Sequence, residues 1–129
     1  MPKQNNTNRQ LEDEIISREQ YAKIGKTLDI EGEISGQENL KIEGRFQGKI
    51  TLNQNDVIIE HNATVKAEIH VKNAQIRGRV EGNIFAAEKV HIENNGHMNG
   101  NIFASRISID DGAQFKGSVK INIPNPSSP

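Results

Sequence analysis

At 129 residues the chain has room for one domain and little more. It holds no Cys, which excludes a disulfide-stapled secreted fold and any thiolate metal site. Sixteen Lys and Arg against seventeen Asp and Glu leave a formal net charge of −1, so electrostatic nucleic-acid binding is not its main task.

From the N-terminus, residues 1–10 carry three Asn and no aliphatic beyond Met1, and are expected to be disordered. No apolar stretch of a signal peptide is present there, and no run is long enough to span a membrane, so a cytoplasmic protein is expected. Leu11 to Lys23 could form one short helix with a narrow apolar stripe, marginal on its own. Residues 1–23 are therefore read as a flexible tail.

From Ile24 the pattern changes. Apolar or small residues alternate with polar ones almost without a break to Ile121. Leu28, Ile30, Gly32, Ile34 and Gly36 open the series, and Leu40, Ile42, Gly44, Phe46, Gly48, Ile50 and Leu52 follow. The last series runs through Ile107, Ile109, Ala113, Phe115, Gly117, Val119 and Ile121. Period two means strand with one buried face. The apolar residues suit this, with 18 Ile and 6 Val against 4 Leu. Residues 122–129 are uncharged and rich in Pro and Ser, and are read as a loose tail.

The series is also a repeat: apolar-x-apolar, a polar break, then small-x-apolar-x-small-x-apolar. Its second small position falls at Gly36, Gly48, Ala67, Gly82, Gly100 and Gly117, at spacings of 12, 19, 15, 18 and 17. A mean near 16 fits one turn of a three-sided β-solenoid, with the short first spacing read as an incomplete first coil. Glycine at the inward small positions is expected to serve narrow corners. A sandwich of hairpins is the competing fold. Its candidate turns, Asn95-Gly96 and Asp111-Gly112, both fall at one recurring place in the repeat.

The ordered segments LDIEGEISG, LKIEGRFQGKI, IRGRVEGNIFAAEKVHI, MNGNIFASRISI and DDGAQFKGSVKI resemble the bactofilins, a bacterial polymer-forming cytoskeletal family. The resemblance covers roughly residues 24–121 and ends in a Gly-Ala-x-Phe-x-Gly rung. His61 and Asn62 depart from it, standing near where a Gly commonly occurs. The resemblance implies a right-handed triangular parallel β-helix. It also implies non-polar, nucleotide-independent filaments along the inner face of the cytoplasmic membrane, scaffolding cell shape, polarity or cell-wall factors.

Physics points the same way. A solenoid of about six rungs exposes open backbone rows and apolar interior at both ends unless capped. The expected polymerisation interface is therefore Phe115, Val119 and Ile121 at one end and Leu28, Ile30 and Ile34 at the other, with Phe115 foremost. The main partner is the chain itself, with cell-wall or polarity proteins as further partners. The N-terminal tail balances four basic against four acidic residues, so membrane contact is expected to be weak or indirect, through Ile15, Ile16 and Tyr21.

No cofactor, metal or catalytic residue is assigned. Gly25-Lys26-Thr27 ends like a phosphate-binding loop, but Gln20 stands where its first Gly is needed. His61, His70, His91 and His97 have no zinc spacing, and His70 and His91 are expected to face solvent. Two alternatives remain. One is a closed-oligomer β-helix adaptor that recruits partners. The other is a left-handed β-helix acyltransferase using His61 or His97, which the uneven spacing fits poorly.

Overall fold

The structure is a computed structural model that describes residues 21–121. Those residues form ten strands: β1 (Tyr21–Ile24), β2 (Asp29–Ser35), β3 (Asn39–Ile42), β4 (Arg45–Thr51), β5 (Asp56–Ile59), β6 (Thr64–Ile76), β7 (Arg79–Ile92), β8 (His97–Ala104), β9 (Arg106–Ile109) and β10 (Gln114–Ile121). Every pairing among them is parallel, which removes the hairpin sandwich. The chain winds as a β-solenoid of six rungs.

The registers define three sides. On the first, Ile24, Ile42, Ile59, Ile76, Ile92 and Ile109 stack in one inward column. On the second, the column is Ile30, Phe46, Val65, Val80, Met98 and Phe115. On the third it is Ile34, Ile50, Ile69, Ile84, Ile102 and Val119. Each inward side chain therefore lies on its equivalent one turn away. Among the described residues no buried side chain is polar or charged. The hydrophobic core is the fused interior of these columns, and burying each Ile contributes on the order of 2 kcal/mol.

Two expectations are corrected. Tyr21, Ala22 and Lys23 lie in strand β1, not in a helix, because they pair in register with Asn39, Leu40 and Lys41; the rest of the expected helix lies outside the described residues. Strand pairing thus begins at Tyr21, ahead of Ile24. The second correction concerns the glycine column. Its first member is Gly32, paired with Gly48, and not Gly36. The first spacing becomes 16, so the first coil is a full one.

The glycines are needed for a more specific reason than narrow corners. Between the second and third sides, Gly32, Gly48, Gly82, Gly100 and Gly117 all bend the chain at φ between 132° and 142°. A Cβ on Gly48, Gly100 or Gly117 would also run into the carbonyl oxygen of the glycine one rung earlier.

Outward side chains tie successive rungs together along one edge. Lys23 pairs with Glu43 at 3.5 Å and Lys41 with Glu60 at 3.6 Å. Arg77 spans two rungs, reaching Glu60 at 3.2 Å and Glu93 at 3.1 Å. His91 Nε2 lies 2.9 Å from Asp110. Burial alone would lower the Arg77 pKa, but the hydrogen bonds to Glu60 and Glu93 and the charges of those two carboxylates together outweigh that and raise it. The ladder thus crosses all six rungs and penalises a shift of register.

Candidate assembly faces

The two ends of the solenoid differ from its middle in one respect. The exposed large hydrophobic residues among the described ones are Leu28, Ile109, Val119 and Ile121. Leu28 is on the first rung and the other three are on the last. Interior members of the same columns are sealed: Ile92 is 0% exposed, while Ile109, stacked on it, is 48% exposed. The amino acid and the register are the same, so the difference comes from having a rung above. The last rung is an apolar layer open on one side.

The expected interface residues fall on these two faces. Phe115 continues the inward column over Met98 and is partly buried against the core. Val119 lies over Ile102 and Ile121 over Ala104, at 36% and 42% exposure. Ile30 and Ile34 pack partly buried on the first rung. The fold brings Phe115, Val119 and Ile121 together on one end and Leu28, Ile30 and Ile34 on the other. Ile109 is a face residue that sequence reasoning missed, although the repeat places it in register with Ile92. Ile107, over Val90, belongs to the same layer.

Tyr21 opens strand β1, with the Lys41 ammonium 6.0 Å from its ring centroid. Ile15 and Ile16 lie outside the described residues.

His70 and His91 point outward as expected, but both are engaged. His70 Nε2 lies 2.6 Å from Glu68 Oε2, and its ring stacks on Phe85 at 4.6 Å. The hydrogen bond with His70 holds the Glu68 carboxyl below its ordinary pKa. The charges of His70 and Lys49 act the same way, against a desolvation cost. Among the described residues no three His, Asp or Glu side chains gather as a metal site would require. A hollow of about 640 Å³ between the turns near Gln37 and Gln54 is lined by uncharged residues alone. No helix among the described residues is long and apolar enough to cross a membrane.

A solenoid with open apolar ends is the form expected of a subunit that adds to its own kind, and comparison with known proteins gives the class. The family profile of the bactofilins, described as polymer-forming cytoskeletal, matches residues 22–120. The chain belongs to the bactofilin family. It is 44% identical to bactofilin BacO of Myxococcus xanthus over 100 residues, covering 78% of this chain and 79% of that protein. It is 43% identical to bactofilin BacP of the same bacterium over 96 residues, covering 74% of this chain and 40% of that longer protein. No solved structure matches the chain.

Proposed function

We propose that this bactofilin assembles into filaments by end-to-end stacking of its terminal rungs, without nucleotide or metal, and that the filaments scaffold cell-shape, polarity or cell-wall proteins near the inner membrane. The observation that carries this reading is the 48% exposure of Ile109 over an Ile92 that is fully buried. A second subunit would give the last rung the same cover that every inner rung has. The backbone gains too, since the outer edge of a terminal rung has a row of N–H and C=O groups that a further strand can pair. Membrane proximity would come through a protein partner or from many weak tails on one filament.

Purified protein without nucleotide, viewed by negative-stain microscopy across a salt series, tests this. Long thin filaments are expected, and they should persist in EDTA. Discrete particles under every condition would replace this reading with the closed-oligomer adaptor.

A further inference from the structure

The third side of the solenoid carries an outward column unlike the rest of the surface. His70, Phe85 and Phe103 occupy successive rungs in register. Their rings are stacked, His70 on Phe85 at 4.6 Å and 10°, and Phe85 on Phe103 at 4.8 Å and 3°. Both Phe side chains point away from the core, in a position that polar Thr51 and Lys120 fill on other rungs. The neighbouring outward column reads Glu68, Asn83, Asn101 and Ser118, with Asn101 hydrogen-bonded to Asn83 at 3.0 Å and Ser118 to Asn101 at 2.6 Å. Over the two Phe rungs neither of these two columns has an ionisable side chain. Charge returns at its two borders, with Glu68 and His70 below and Lys120 above.

We infer that this aromatic strip is the lateral contact between filaments and that it takes a second copy of this chain running in the opposite direction. Charge complementarity selects the partner and its direction. Two copies facing each other with axes parallel would set Lys120 against Lys120 and Glu68 against Glu68. A two-fold axis lying along the strand direction, midway between the Phe85 and Phe103 rungs, keeps aromatic column on aromatic column. It sets Phe85 against Phe103, the Asn83 rung against the Asn101 rung, and Lys120 against the Glu68–His70 pair. The strip spans three rung spacings and buries on the order of 200 Å² per copy, well under the roughly 800 Å² of a stable pair. Single subunits would therefore not pair through it. Along a filament every subunit offers the strip, and weak contacts add by avidity.

This inference rests on filament formation, so the test separates the two. Low-speed sedimentation collects bundles and high-speed sedimentation collects single filaments, with microscopy of both fractions. Wild-type full-length protein is expected in the low-speed pellet. Phe85→Thr with Phe103→Thr keeps β propensity and touches neither end face. It should reduce the low-speed pellet about tenfold and leave the high-speed pellet unchanged. Lys120→Glu should do the same, and Glu68→Lys added to Lys120→Glu should restore bundles. Wild-type filaments that stay single, or bundles that survive the two Phe substitutions, overturn the lateral contact alone. Failure of the charge swap to restore bundles overturns the antiparallel arrangement. Absence of wild-type filaments overturns both readings.

Discussion

Gly100 shows how much one position can be constrained in this fold. Its φ of 141° is one that an L side chain rarely adopts, and a Cβ there would collide with the Gly82 carbonyl oxygen. Gly100→Ala should therefore lower stability by about 2–4 kcal/mol, the sum of backbone strain and a displaced rung. Gly36→Ala is the control. Gly36 has no positive φ, and no atom lies within 4 Å of where its Cβ would stand, so the change should stay within about 0.5 kcal/mol. Urea denaturation of the two variants measures the contrast. Sequence parity alone could not choose between Gly32 and Gly36, because both lie in one alternating series. Only pairing with Gly48 decides it. Ala67 occupies the same column without a positive φ, so the column is not uniformly glycine and the motif reads as looser than it is.

Glu68 gives a second residue-scale expectation. Its folded pKa is depressed, chiefly by the His70 hydrogen bond. A depressed carboxylate contributes stability above its unfolded pKa and loses it as pH falls through the folded value. Glu68→Gln should therefore lower Tm at neutral pH and converge with the wild type in acid. Parallel Tm curves down to the lowest pH would remove this pair from the account.

At the scale of strands and rungs, the inward columns should respond differently by position. Ile76→Ala sits mid-column at 0% exposure and should cost about 2–5 kcal/mol, since the rungs above and below cannot close the cavity. Ile109→Ala occupies the same column at 48% exposure and should cost less than about 1 kcal/mol in the unassembled subunit, while weakening assembly. Thermal unfolding of the subunit and sedimentation of the polymer would separate the two effects. The ladder on the first side makes its own prediction. Arg77→Met removes hydrogen bonds to both Glu60 and Glu93 and leaves two carboxylates without their shared cation. Solvent screens the site, so about 1 kcal/mol is expected, read as a shift of the urea midpoint without a change of slope. The inward pattern was legible in the sequence because alternation with β-branched residues has one explanation. The outward pairs were not. Lys23–Glu43, Arg77–Glu60 and His91–Asp110 are 17 to 20 residues apart, and rungs of unequal length hide which outward residues meet. The Phe85–Phe103 stack was hidden likewise, since alternation turns each Phe outward beside an inward Ile but only the register lays one ring on the other.

For the whole molecule, the proposed end-to-end stacking can join like ends or unlike ends, and single substitutions distinguish the two. Phe115→Arg places a charge in the last rung, where stacking would desolvate it without a partner. Ile30→Arg does the same to the first rung. Each leaves the opposite face intact. Non-polar stacking joins like ends, so each variant alone should stop at a pair of chains, and mixing the two should produce nothing longer. Polar stacking joins the last rung to the first. Each variant alone would then remain a single chain, and mixing would yield one defined pair through the two undamaged faces. The family resemblance favours non-polar stacking, so pairs from each variant alone are expected in multi-angle light scattering. Long filaments from Phe115→Arg would show that the last rung is not an assembly face. The layer of Ile107, Ile109, Phe115, Val119 and Ile121 would then have to be covered by something other than this chain's own end.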